Sequence, residues 1–256
     1  MAPDLTIVIP VWDDHTRLLP RCLNAIRHQS VSAHIIIVDN ASELPIDAPT
    51  AAHQVALPHR HSIGAARNAG LTYITTPYVV FADADDEITP GALARSLDLL
   101  HRHPIAAGVI GRSIVDEDGQ HRRRGRTPRT AFRLASHYAP KLAPLFWLTA
   151  SQCSITSTVL RTATVRDAGA FPDTDIAEDW QLAARLARRG PLICLNDPVR
   201  VYHRHANAAR NTAPKPDNQS LRRTICADCI TDPRASSVHR LFARAVRSYS
   251  TAPRTP

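Results

Sequence analysis

The sequence predicts an α/β domain built on a mostly parallel central sheet flanked by helices. Three observations carry that prediction. Apolar runs of strand length alternate with longer segments of helical periodicity. The runs LTIVIP, HIIIVDNAS and YVVFADADDEI each pass straight into polar residues. In such sheets ligands gather at the carboxyl ends of strands, and PVWDD, VDNAS and ADADDE all fall there.

Taken in order, Leu5–Pro10 reads as a buried strand. TRLLPRCLNAIRHQS follows, with Leu18, Cys22, Ile26 and Gln29 at helical spacing. His34–Ser42 is a second buried strand, Ser62–Ile74 a helix with a small-residue start, and Tyr78–Ile88 the next strand. TPGALARSLDLLHRH is a helix with Thr89 as N-cap and Pro90 in the first turn. AAGVIGRSIVDEDGQHRRR reads as a strand, a turn at Asp118-Gly119 and a return strand. LRTATVRDAGAFPD suggests a short helix and a turn. IAEDWQLAARLARRG is an amphipathic helix on Leu182 and Leu186, stopped by Gly190. PLICLN and VRVYHRH are two short strands, and residues 206–217 read as a linker. SSVHRLFARAVRSY places Val238, Leu241, Phe242, Ala245, Val246 and Tyr249 on one helical face.

The 256 residues, 44% hydrophobic, suffice for one large domain, or for one domain with an appendage. The chain is basic, formally +8 with a pI near 9.8. Only Lys141 and Lys215 among its 31 basic residues are lysines. A codon bias explains such an excess of arginine as well as attraction to anions does. The five cysteines are odd in number, and most are scattered in apolar surroundings, which predicts reduced thiols and a cytoplasmic protein. Cys226 and Cys229 make half a zinc site and are assigned no metal. No signal peptide or membrane span is expected.

YVVFADADDEI carries four acids in five residues: Asp83, Asp85, Asp86 and Glu87. Like charges this close repel unless water or a cation intervenes. Strand alternation would point Asp83 and Asp85 the same way, as oxygen ligands for Mg²⁺ or Mn²⁺. A solvated acidic turn explains the same residues equally well.

The ordered set TIVIPVWDD, LLPRCLNAI, IIIVDNAS, GAARNAG, YVVFADADDEITPGAL, AGAFPD and AEDWQLAARLARRG resembles the family 2 glycosyltransferases of the GT-A fold, from Leu5 to His205. The resemblance implies a donor site of Pro10, Trp12, Asp13, Asp39, Arg67 and Asp83. Trp12 would lie on the nucleotide base, and Arg67 would reach the base or diphosphate. It further implies that Asp85 and Asp83 hold a Mn²⁺ or Mg²⁺ ion. His205 completes the metal shell or is an ordinary surface histidine. Asp179 would be the general base of an inverting transfer, with Glu178 beside it; helix capping explains the same pair. DNAS departs from the commoner Asp-Asp-Gly-Ser, and a UDP- or dTDP-linked sugar is the expected donor, with an unknown hydroxyl acceptor.

The implied division is a transferase domain over 1–205, split into a donor half (1–115) and an acceptor half (116–205), then a linker and helix over 206–256. The arginine-rich stretch 121–133 would hold an anionic acceptor or form a solvated loop. The last helix would lie on the inner face of a membrane or pack back on the domain. A nucleotide-sugar-forming nucleotidyltransferase is a rival, but PVWDDHTRLLP lacks its glycines and lysine. An acid-nucleophile phosphatase would want its acids after the first strand. A nucleic-acid partner is not expected, since aromatics are only 5% of residues and no binding signature appears. A catalytically inactive nucleotide-binding homologue conflicts with the intact acid pairs.

Overall fold

In the computed structural model residues 3–117, 122–125, 127–204 and 217–249 are described, with only the backbone of 122–124. His205, the turn at Asp118-Gly119 and most of the expected linker lie outside them. The strands are β1 (Leu5–Val11), β2 (His34–Asp39), β3 (His53–Ala56), β4 (Tyr78–Phe81), β5 (Glu87–Ile88), β6 (Gly108–Asp116), β7 (Arg122–Arg124), β8 (Leu160–Arg161) and β9 (Leu192–His203). They form one sheet in the order β3-β2-β1-β4-β8-β6-β9-β5, with β7 paired to β6.

The four parallel pairings, β1 with β2 and β4, β2 with β3, and β6 with β9, are the long ones. Antiparallel β8 is inserted between β4 and β6, so β6 and β9 run in the same direction as β1. Six carboxyl ends therefore share one edge. The chain crosses from β3 over β2 and β1 to reach β4, which makes the gap beyond β1 and β4 a topological switch point.

Both faces of the sheet are covered. Residues of β1 alternate between them: Val8 joins one core cluster, Ile7 and Ile9 the other. Helices α1 (Leu19–Arg27) and α3 (Ala92–Arg102) close the second face through Leu19, Cys22, Leu93 and Leu100. The first face is covered by α2 (Ile63–Leu71), α5 (Pro144–Thr149), α6 (Thr162–Asp167), α7 (Glu178–Ala187), α8 (Asn218–Thr231) and α9 (Ser237–Tyr249). Helix α4 (Thr130–Tyr138) buries Phe132 there against Trp147. Burying a large apolar side chain stabilises by about 1.5–3 kcal/mol, so a run such as Leu5–Val11, buried throughout, belongs mid-sheet.

Several elements differ from the sequence expectation. The strand expected over 78–88 ends at Phe81, and Asp83–Asp86 is a turn closed by the Asp86 amide on the Asp83 carbonyl at 3.1 Å. Strand alternation thus does not orient the acids; a sheet interior cannot take four carboxylates in its ladder. Thr89 does not cap α3: its hydroxyl donates to the Pro198 carbonyl at 2.6 Å, and Gly91, at φ 70°, takes the N-cap position. The two strands expected over 191–205 are one strand, β9, with register irregularities opposite Ile110–Ser113. The 206–256 stretch holds α8 as well as the C-terminal helix, and Ile225, Cys226, Cys229 and Ala243 enter the main core. All five cysteines are free. Among the described residues no helix is long and apolar enough to cross a membrane.

The N-terminus of α2 meets the loop before α7, where Ser62 donates to Asp173 (2.5 Å) and the Ile63 amide to Asp175 (2.7 Å). A Cβ on Gly64 would stand 2.0 Å from the Pro172 carbonyl oxygen, a backbone atom that cannot swing aside. Gly64→Ala is expected to destabilise the fold by about 3 kcal/mol, read as a lowered midpoint in urea unfolding.

Candidate active site

Arg67 projects from α2 and is 3% exposed. Its Nη2 donates to Asp83 Oδ1 at 2.7 Å and its Nη1 to Glu178 Oε1 at 2.6 Å. Phe171 lies 5.1 Å beneath the guanidinium and packs edge-on against Phe81. A helix, the turn after β4 and the first turn of α7 thus meet on one side chain. Arg67 is not extended toward open space, as a diphosphate-binding role would ask; both guanidinium termini are spent on protein carboxylates.

A second arginine enters from β9. Arg200 Nη1 donates to Asp86 Oδ2 (2.9 Å), to Asp83 Oδ2 (3.3 Å) and to the Thr156 hydroxyl, while its Nε donates to Ser113 (3.2 Å). Arg21 anchors the same turn by donating to the Asp85 carbonyl at 2.7 Å, with its Nε 3.9 Å from Glu87. His203 closes the back: its amide donates to Asp86 Oδ1 (3.3 Å) and its Nε2 pairs with Glu87 at 2.6 Å. Three arginines therefore answer the repulsion inside the acidic cluster.

They answer it unevenly. Burial alone would push Asp83 up, but Arg67 and Arg200 together hold it below the usual carboxylate range. Asp86, more deeply buried and facing Asp83 and Asp85, is pushed well above that range despite Arg200. Burial, with Asp179 adjacent, raises Glu178 to about 7 against the pull of Arg67. Burial and Arg21 lower His203 despite Glu87. Neighbouring acids whose pKa values are driven apart mark a site with separate charge states.

Trp12 follows β1, half-buried, with the Arg60 guanidinium 4.3 Å over its ring and His15 against it. Asp13, at φ 43°, is exposed near Arg60. Asp39 accepts from the Ser42 amide at 2.8 Å. Pro10 is buried within β1, paired in register with Val38, so it shapes the strand end from inside. Asn40 is fully buried and exchanges two 2.9 Å hydrogen bonds with the His61 backbone. The neutral amide that departs from the commoner motif stitches the β2 loop to the α2 loop. Ala41 beside it sits at φ 56°, where the commoner motif has glycine.

The structure therefore gathers Asp83, Asp85, Arg67, Glu178 and Asp179 at the carboxyl edge of the sheet. Trp12 and Asp39 lie at the ends of the adjoining strands β1 and β2. Sequence reasoning missed Arg200, Arg21, Arg60 and Thr156. Arg200 had one faint signal, a cation between the apolar residues Val199 and Val201 in a strand. Among the described residues no group of three or more His, Cys, Asp or Glu is arranged to hold a metal. The available donors are carboxylate oxygens, which suit a hard divalent ion that completes its shell from substrate phosphates and water.

The model of glycosyl transferase family 2 matches residues 6–162. A pre-mycofactocin glycosyltransferase of Mycobacterium tuberculosis is 31% identical over 219 residues, 81% of this chain and 44% of that protein. The succinoglycan biosynthesis protein ExoO of Rhizobium meliloti is 24% identical over 125 residues, 46% of this chain and 36% of its own length. The chain thus spans less than half the length of these relatives. Among solved structures, S. aureus TarS 1–349 in complex with UDP-GlcNAc superposes with a TM-score of 0.72 at 15% identity, covering 96% of this chain and 71% of that one. The mannosyltransferase PcManGT of Pyrobaculum calidifontis, in complex with GDP-Man and Mn²⁺, gives 0.63 at 19% identity, covering 96% and 70%. The fold they share with this chain is GT-A.

A Glu178 pKa raised from 4.5 to about 7 makes its ionisation a cost to folding. The cost is absent below the unfolded-state value and complete above the folded-state one, so parent stability falls as pH rises through that window. Glu178→Gln carries no such charge. Between pH 5 and pH 8 its unfolding free energy should gain about 2 kcal/mol relative to the parent, measured by urea unfolding at both pH values.

Proposed function

The chain belongs to glycosyl transferase family 2, and from that premise we propose that it moves a sugar from a nucleoside-diphosphate-sugar to an acceptor hydroxyl with inversion. The observation that supports this reading best is the Arg67 clamp. It binds Asp83, beside the expected metal ligand, and Glu178, next to the expected base, in one rigid unit. Catalysis by positioning needs reacting groups held together within a few tenths of an ångström.

In this reading Trp12 takes the base of the donor, and Asp39 the base or ribose. A UDP- or dTDP-linked donor remains our expectation; the relatives of known structure carry UDP-GlcNAc in one case and GDP-Man in another. A divalent ion, Mn²⁺ or Mg²⁺, would be held by Asp85 with help from Asp83. Bound there it would neutralise charge developing on the leaving diphosphate. Arg67 and Arg200 keep Asp83 ionised for that role. Asp179, half-buried in the first turn of α7, takes the proton of the acceptor hydroxyl. The acceptor oxygen bonds to the anomeric carbon as the bond from that carbon to the diphosphate breaks, with no covalent enzyme intermediate. Residues 1–115 serve the donor and 116–205 the acceptor, while α8 and α9 complete the core of the same domain.

Two substitutions test the assignments. Asp85→Ala should abolish Mn²⁺-dependent donor binding in a calorimetric titration with nucleotide-sugars; unchanged titration removes Asp85 from metal binding. Asp179→Asn should bind donor as tightly as the parent and lose transfer by about 10²–10⁴-fold. Full turnover in that variant, followed by nucleoside diphosphate release, removes it as base.

A further inference from the structure

The opposite edge of the sheet carries a different surface. Beneath α4 lies a cavity of about 680 Å³, lined by the connection from α3 to β6 and by the amino end of β9. Its apolar lining includes Ile105, Leu134, Tyr138 and Ile193, its basic lining His103, Arg133 and His137, and no carboxylate belongs to it. Ile105 and Tyr138 are each 77% exposed.

The apolar surface continues onto α9. His239 Nε2 pairs with the Lys141 carbonyl at 2.8 Å, three residues beyond Tyr138, which seats the start of α9 beside the end of α4. On α9 only a narrow face, His239 and Ala243, is buried. Val238, Leu241, Phe242, Ala245 and Tyr249 recur at three- and four-residue steps and remain exposed. Leu142 adds to them from the turn. Isolated exposed apolar residues are ordinary; a concentration on adjoining elements marks an interaction surface.

Its charge selects the partner. Arg129, Lys141, Arg244 and Arg247 are exposed on these elements. No Asp or Glu occurs between Thr127 and Thr149 or between Pro233 and Tyr249. We propose that the surface formed by α4, the turn after it and α9 docks on an anionic lipid surface, with Tyr138, Leu142 and Leu241 entering the headgroup boundary and the flanking cations meeting lipid phosphates. The docking face lies away from the carboxyl edge, so it leaves the acid cluster uncovered.

Sedimentation of the full chain with vesicles of pure phosphatidylglycerol, against vesicles of pure phosphatidylcholine, tests the proposal. The parent is expected to pellet with the anionic vesicles only. Tyr138→Glu with Leu241→Glu should lower the pelleted fraction about tenfold at an unchanged melting temperature. Arg244→Glu with Arg247→Glu, which keeps the apolar stripe, should also lose binding. No binding to phosphatidylglycerol overturns the proposal. So does full binding by the Tyr138/Leu241 variant, which would assign attachment to the chain's overall charge. A dimer in vesicle-free solution that the same two substitutions abolish would give the face to a second copy and overturn it equally.

Discussion

Asp83 sits between two buried guanidinium groups, and the rest of the site is arranged around that fact. Arg67 takes one carboxylate oxygen and Arg200 the other. Breaking such a pair by removing one partner costs about 3–5 kcal/mol, because the remaining charge stays buried. The arrangement is therefore held by desolvation as much as by attraction. It also couples distant parts of the chain, since Arg67 comes from α2, Glu178 from α7 and Arg200 from β9.

That coupling explains how an apolar strand ends in a knot of acids. Asp83, Asp85 and Asp86 fall in a turn, outside the ladder, where side chains have room to diverge, and Glu87 opens the edge strand β5. Asp83 is kept charged by its two arginines, while Asp86 is driven toward its neutral form by burial. Arg21 fixes the turn's backbone at the Asp85 carbonyl, and the His203 amide holds the Asp86 carboxylate. A turn so braced holds its carboxylates in place before any ligand arrives, and preorganisation of that kind lowers the cost of binding and of the transition state.

The parallel topology does the remaining work. Six strands bring their carboxyl ends to one edge, so Trp12, Asp39 and the acidic turn become neighbours despite their separation in sequence. The antiparallel pieces β5, β7 and β8 were not all legible beforehand. β8 and β5 are two residues long, too short for any periodicity to show. The helices α4, α5 and α8 were also missed. α5 is only six residues long, and the apolar positions of α4 and α8 are sparse among polar and basic residues, so those helices rest on tertiary packing more than on local propensity.

By itself the sequence determined the alternation of strands and helices, the edge at which polar motifs collect, and the residue types offered there. Those follow from local properties: apolar runs need burial, and acids and glycines break strands. Tertiary structure alone decided which arginines serve the acids. Arg67 stands in a short motif, but Arg200, Arg21 and Arg60 look like any other arginine in an arginine-rich chain, and only the sheet's closure sets them against carboxylates. It also decided that Asn40 is a stitch between loops and that Arg67 faces inward. The physical reason is common to both: a buried hydrogen bond between residues far apart in the chain leaves no local imprint, because its partner is chosen by packing.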